Sequence, residues 1–141
     1  MKLLLDTNLL IIPPSQDFVA QHQQDLFYVS ALSHAELTEG EFASAPEIRA
    51  AASLQAAAAR AAFGPGLPFD DAAALAYRAV CLAVTSRRRQ LNRRRRVDLL
   101  IAATALANGC AVATRNPADF AGLEGIIEII PVAGPAKDSA A

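Results

Sequence analysis

The stretch "KLLLDTNLLII", residues 2–12, decides the fold, because a single carboxylate, Asp6, interrupts its apolar residues. Aspartate is unfavourable within strands and costly to bury without a partner. Leu3–Leu5, directly before it, have the continuous apolar character of a short buried strand. We therefore expect Asp6 to end a strand and to lie at the edge of a sheet.

Short apolar runs alternate with longer helical segments along the rest of the chain, and this order is typical of an α/β domain with a mostly parallel sheet. We expect one domain over residues 1–131 and a flexible C-terminal tail over residues 132–141. Further strands are predicted at 26–29, 110–114 and 126–130, with a brief one at 66–69. Helices are predicted at 15–24, 30–38, 46–63, 70–86 and 98–109.

The composition fits a globular protein outside the membrane. The chain has 141 residues, of which 53% are hydrophobic, so it can bury a substantial core. Cys81 and Cys110 lack the spacing of a metal site, and we expect reduced thiols in a cytoplasmic protein. No uncharged apolar run reaches the roughly 18 residues that span a bilayer, so no membrane segment is expected.

Charge is concentrated in "RRRQLNRRRR", residues 87–96, which holds seven arginines and no acid. Only 6 of the chain's 13 basic residues lie elsewhere, together with all 14 acidic ones. Like charges this dense repel one another, so the segment either forms a solvated surface, faces a protein partner or binds an anion. We favour contact with the phosphates of a nucleic acid.

Four acids, Asp6, Glu36, Asp98 and Asp119, are placed to meet at one edge of the sheet, because ligands gather at the carboxyl ends of parallel strands. Clustered carboxylates repel unless a cation lies among them, and oxygen ligands favour Mg²⁺ or Mn²⁺. Such a metal suits phosphodiester hydrolysis. Alternatively, Asp6 accepts backbone N–H bonds, Glu36 is solvated, and Asp98 and Asp119 favour helix N-termini, the latter capped by Asn116.

Five segments in order resemble the motifs of PIN-domain ribonucleases, and they are most similar to VapC toxins of bacterial type II toxin–antitoxin pairs. The resemblance covers residues 2–131. The segments are "LLLDTNLLI", "SALSHAELTEG", "GLPFDDAAALAY", "DLLIAATALANG" and "ATRNPADF". The arginine segment departs from the pattern, since relatives have a short glycine-containing segment there.

The resemblance implies a PIN-like three-layer fold, with a short, mostly parallel central sheet flanked by helices. It implies an acidic tetrad of Asp6, Glu36, Asp98 and Asp119. Asp6 and Asp98 would hold Mg²⁺, or Mn²⁺ as the alternative, with Glu36 and Asp119 acting directly or through water. Supporting roles fall to Thr7, Asn8, Thr114 and Asn116, and Asn116 competes with Asp119 for the fourth position. RNA contacts are expected from Arg87, Arg88, Arg89, Arg93, Arg94, Arg95, Arg96 and Arg115.

The expected function is that of a toxin acting as a Mg²⁺-dependent endoribonuclease. The implied partners are RNA, a VapB-like antitoxin chain across the acidic cleft, and a second copy of the chain in a homodimer. Two alternatives stay open, a non-enzymatic RNA-binding or regulatory module and another Mg²⁺-dependent phosphohydrolase. A phosphatase with an aspartyl nucleophile would require the motif D-x-D after the first strand, and here Asn8 stands where the second aspartate would be.

Overall fold

Four parallel strands form the centre of the molecule in the computed structural model, which describes residues 1–87, 91 and 95–134. The strands are β1 (Lys2–Leu5), β2 (Leu26–Tyr28), β3 (Ala111–Thr114) and β4 (Ile129–Pro131). Their order is β2-β1-β3-β4, and every neighbouring pair is parallel. The predicted α/β class with a short parallel sheet is confirmed.

Helices flank this sheet along the described part of the chain. They are α1 (Asn8–Ile11), α2 (Gln16–Gln21), α3 (Ala31–Gly40), α4 (Pro46–Phe63), α5 (Asp71–Ser86) and α6 (Arg96–Ala107), with a short 3-10 helix at Pro117–Phe120. Among the residues described, no helix has both the length and the apolar character needed to cross a bilayer.

Alternate residues of the strands enter two separate apolar clusters, one on each face of the sheet. Leu4 and Val112 pack with residues of α5 and α6. Leu3, Leu5 and Ala113 point to the opposite face, where they pack with Leu9 of α1, Phe18 of α2 and Val29. Because both faces are covered, the strands are continuously apolar rather than alternating.

Helix boundaries follow the capping chemistry that the sequence predicts at several positions. The Ser15 and Ser30 side chains accept N–H bonds at the starts of α2 and α3, and Asp70 does the same at the start of α5. Pro46 begins α4, where its missing N–H has no cost. Gly109, with a φ of 65°, follows the end of α6.

Three local predictions differ from the structure. Gly40 lies within α3 instead of ending it. Leu67 forms a single bridge with Ser30 in place of a strand at 66–69. The last strand begins at Ile129, because residues 124–126 form turns, so the predicted strand at 126–130 starts too early.

The packed chain also continues beyond the domain boundary predicted at residue 131. Val132 is 6% exposed, and its N–H donates to the carbonyl of Thr114 at 2.8 Å. The chain is described as far as Gly134, and residues 135–141 of the predicted tail lie outside the described residues.

The two cysteines are free thiols, as the sequence predicts. Cys110 is buried directly before β3, and this burial raises the pKa of its thiol. Cys81 is half-buried on α5.

Replacing Gly66 by alanine should destabilise the fold by about 1–3 kcal/mol, the usual cost of overpacking. An added Cβ would lie 2.3 Å from the backbone nitrogen of Ala31 and 2.5 Å from the carbonyl carbon of Ser30. Gly125→Ala is the control, since a Cβ there meets nothing within 4 Å. Urea unfolding measures both, and equal free energies of unfolding would contradict the close approach at Gly66.

Candidate functional site

Asp6 is a buried carboxylate held by hydrogen bonds at the end of β1. Asp6 is only 4% exposed to solvent. Its Oδ1 accepts the backbone N–H of Thr7 at 2.8 Å, and its Oδ2 accepts the hydroxyl of Thr114 at 2.8 Å. The N–H of Asp6 donates to the carbonyl of Ala113 at 2.9 Å, which continues the pairing of β1 with β3. The sequence prediction that Asp6 lies at the carboxyl edge of the sheet is correct.

The hydroxyl group of Thr114 has only one orientation that satisfies its neighbours. Its oxygen accepts the backbone N–H of Asn116 at 3.0 Å and Nδ2 of Asn8 at 3.4 Å. A hydroxyl has one donor and two acceptor positions, so its hydrogen must point to Oδ2 of Asp6. Thr114 is fully buried, and the direction of the Asp6 carboxylate is therefore fixed from the neighbouring strand.

Thr7 joins Asp6 to helix α3. Its hydroxyl donates to Oε1 of Glu36 at 2.5 Å, and Oγ of Ser33 lies 2.8 Å from the same hydroxyl. Because the Thr7 hydrogen points to Glu36, Ser33 must be the donor in the second contact. Ser33 is fully buried, and the sequence analysis missed it. The signal for it was its position three residues before Glu36, on the same side of the helix.

Three of the four predicted acids line one cleft of about 180 Å³ at this edge of the sheet. They are Asp6, Glu36 from α3 and Asp98 from the first turn of α6. Asp98 is 8% exposed, so two of these acids are nearly excluded from solvent. The other residues lining the cleft are Thr7, Asn8, Ile11, Leu37 and Glu39.

Glu39 is an additional acid that the sequence analysis did not place in the site. It lies three residues after Glu36 on α3, so both residues are on one side of the helix. Glu41, two residues further, accepts a hydrogen bond from Ser53 and is not among the lining residues of the cleft. The i, i+3 spacing was therefore the available signal for Glu39.

Asp119 and Asn116 lie beside the cleft rather than among the residues that line it. Asp119 is half-buried on the 3-10 helix, and its carbonyl accepts Nη2 of Arg95 at 2.5 Å. Asn116 stands at the N-cap position, but its side chain makes no capping bond, so that part of the capping interpretation is wrong. Pro117 does occupy the first helical position.

The predicted arginine contacts are only partly within the described residues. Arg88, Arg89, Arg93 and Arg94 lie outside them. Arg87 and Arg96 are exposed, at the end of α5 and the start of α6, and Arg95 is half-buried. Arg115 donates to backbone carbonyls of the segment that follows Asn8, and burial lowers the pKa of its guanidinium.

Neither histidine lies in the acidic cleft. His22 and Asp25 are joined by a 2.8 Å contact between Nδ1 and Oδ2. His34 is buried, and its Nε2 donates to the carbonyl of Gly64 at 3.0 Å. Asp25 also binds the N-terminal amine, and these two partners keep the pKa of its carboxyl below the usual value.

The oxygen donors at the cleft fit a hard divalent cation that keeps part of its water shell. Within the described ranges, no three acidic, histidine or cysteine side chains stand together as a ready-made metal cage. Mg²⁺ usually takes only one or two carboxylates and retains several waters, so a site for it needs no more than a pair of carboxylates. Oδ1 of Asn8 is buried, and it has no hydrogen-bond partner among the described residues, which leaves a further oxygen beside the cleft.

Comparison with known proteins identifies the family of this fold. The family model of the PIN domain matches residues 3–124. A chain of VapBC-5 from Mycobacterium tuberculosis, a member of the VapBC family of toxin–antitoxin systems, is 28% identical with a TM-score of 0.77, over 93% of this chain and 98% of that one. A chain of FitAcB from Neisseria gonorrhoeae is 25% identical with a TM-score of 0.70, over 91% and 96%.

A chain of VapBC2 from Rickettsia felis shares the fold at 15% identity, with a TM-score of 0.72 over 94% of this chain and 100% of that one. No curated protein sequence gave a significant match. The resemblance to PIN domains and to VapC-type chains is confirmed. Because the match at residues 3–124 includes β1, β2, β3 and all six helices, the chain belongs to the PIN-domain family.

Proposed function

We propose that this chain is the toxin of a type II toxin–antitoxin pair and that it cleaves RNA as a Mg²⁺-dependent endoribonuclease. The single observation that carries the proposal is the convergence of Asp6, Glu36 and Asp98 on one cleft at the carboxyl edge of the sheet. The similarity to a VapBC-5 chain over nearly the whole length supports the toxin role.

Asp6 and Asp98 are the proposed metal ligands, with Glu36 and Asp119 acting directly or through water. When bound there, Mg²⁺ would supply a Lewis acid and an activated water for hydrolysis of a phosphodiester. The chain's own contribution is to hold its carboxylates in fixed directions. Thr114 aims Oδ2 of Asp6, and Thr7 holds Oε1 of Glu36. Side chains already oriented in this way need little rearrangement when substrate binds.

RNA is the proposed substrate, and the arginine segment is the proposed contact with its phosphates. A cleft lined by carboxylates repels phosphate, so binding energy must come from positive charge nearby. Arg95, near one end of the segment, donates to the carbonyl of Asp119 on the 3-10 helix that follows Thr114. This contact holds one end of the segment beside the 3-10 helix that carries Asp119, and the proposed phosphate contacts are those of the other arginines of the segment.

The proposed antitoxin site is the apolar side of α4 that faces α1. One apolar cleft, of about 330 Å³, lies between the α1 region and the C-terminal half of α4, where Ala58, Ala62 and Phe63 contribute. A second, of about 340 Å³, contains Ile48 and Glu36 and so adjoins the acidic cleft. An amphipathic segment lying along α4 would reach the acids.

A second copy of the chain is the other proposed partner. Leu75 and Leu82 are exposed and lie seven residues apart on α5, so they share one side of that helix. A second copy that packs against this apolar side of α5 would leave the acidic cleft open.

Asp6→Asn and Asp98→Asn should each lower RNA cleavage by roughly 100-fold or more, because each removes a proposed metal-ligating charge. Purified protein without antitoxin is incubated with total RNA in Mg²⁺ or in EDTA, and calorimetry measures Mg²⁺ binding to the folded variants. Glu41→Gln is the control, because Glu41 lies outside the cleft. Near-normal cleavage by either aspartate variant, or by wild type in EDTA, would refute the proposed chemistry.

Thr114→Val should lower kcat by about 10- to 100-fold, the usual effect of removing a group that orients a metal ligand. Valine keeps the shape of threonine but cannot donate to Oδ2 of Asp6. Thr114→Ser keeps the hydroxyl and should retain most of the activity. Equal activity of the two variants would show that the hydrogen bond to Asp6 has no role in catalysis.

Ala62→Arg should weaken antitoxin binding at least about tenfold, because it places a charge in the apolar cleft. Ala61→Arg is the matched control, since Ala61 is exposed on α4 and does not line that cleft. A fluorescence titration with the cognate antitoxin measures both, and RNA cleavage by the free variants should be unchanged. If both variants bind equally well, the antitoxin lies elsewhere.

A further inference from the structure

Arg115 directs its guanidinium at three carbonyl oxygens of its own chain. Nη1 donates to the carbonyls of Asn8, at 3.3 Å, and Ile12, and Nη2 donates to the carbonyl of Pro13 at 2.8 Å. Nε is buried and has no hydrogen-bond partner among the described residues. A planar fork suits several acceptors at once, which a lysine ammonium does not reproduce.

Arg115 binds the carbonyl of Asn8, the first residue of α1, and those of Ile12 and Pro13, which directly follow the helix. This helix has only four residues, Asn8–Ile11, and a single turn is unstable without outside contacts. The last carbonyls of a helix have no partner within the helix, and a cation at this end is favourable. Arg115 therefore supplies donors to the Ile12 and Pro13 carbonyls and a positive charge at this end, and it adds a second donor to the Asn8 carbonyl, which already accepts the N–H of Ile12.

Helix α1 carries residues of the acidic cleft. Asn8 donates to the Thr114 hydroxyl, which in turn donates to Asp6, and Ile11 lines the cleft. A shift of α1 would therefore change the surroundings of Asp6 without removing any acid.

We propose that Arg115 is a positioning residue, which clamps α1 and so keeps Asn8 and the Asp6 network in their active arrangement. This inference rests on the proposed ribonuclease function. It differs from the RNA contact that the sequence predicts for Arg115, because the guanidinium acts here on the chain itself.

Gly134 provides an independent way to disturb the clamp without changing its charge. A Cβ at this position would lie 2.6 Å from Nε of Arg115, and the φ of Gly134 is 137°. Gly134→Ala must therefore displace the guanidinium or the chain that covers it. Gly125→Ala is the matched control, since its Cβ would meet nothing within 4 Å.

The test compares Arg115→Gln, Arg115→Lys and Gly134→Ala with wild type, with Arg78→Gln as a control on an exposed arginine. The clamp predicts about a tenfold loss of kcat in all three, with KM unchanged. It also predicts an unchanged dependence of RNA affinity on salt, measured in EDTA to prevent cleavage. A phosphate contact predicts instead that Arg115→Gln lowers the log–log slope by about 0.7 and that lysine restores it. That result, or a normal kcat in the Arg115 variants, would overturn the proposal.

Amide hydrogen exchange tests the proposed role of Arg115 independently of catalysis. The N–H groups of Leu10, Ile11 and Ile12 bond within the α1 turn, so they should exchange at least about tenfold faster in the Arg115 and Gly134 variants. Amides of β3 should be unaffected. If wild type cleaves no RNA, the proposed function fails while the exchange result still stands. Unchanged exchange at α1 would refute the clamp even in an active enzyme.

Discussion

The buried carboxylate of Asp6 is the constraint on which the rest of the structure depends. A charge that is almost excluded from water is tolerated only with hydrogen-bonding partners. One partner, the N–H of Thr7, comes from the next residue, and another is the hydroxyl of Thr114, 108 residues later. Burying Asp6 therefore requires β3 beside β1, in the register that pairs Leu5 with Ala113.

The same constraint organises the helices around the cleft. Thr7, which follows Asp6, holds Glu36 of α3, so the first strand also fixes the rotation of that helix. Asn8 bonds back to Thr114, which ties the start of α1 to β3. Asp98 reaches the cleft differently, because α6 is buried along most of its length and its first turn can only point at the sheet edge.

The sequence predicted features that depend on local chemistry and on strand order. The class of the fold and the positions of Asp6 and Thr114 follow from apolar runs and from the geometry of parallel sheets. Ser33 and Glu39 were missed because their position depends on how α3 rotates against Thr7, which apolar periodicity does not report. Helix α1 was missed because one turn is too short for a periodic pattern, and because Arg115, a distant residue, supplies its donors.

The charge distribution and the size of the cleft together restrict what the site can take. The cleft is small, with a volume of about 180 Å³, and three carboxylates line it. Phosphate brought next to Asp6, Glu36 and Asp98 meets several negative charges in a poorly solvated place, where repulsion is strong. A divalent cation bound there would offset this repulsion at the phosphate, and the proposed arginine contacts would offset it along the adjoining backbone. The proposed metal and the proposed arginine contacts would thus reduce the same electrostatic repulsion, the metal inside the cleft and the arginines outside it.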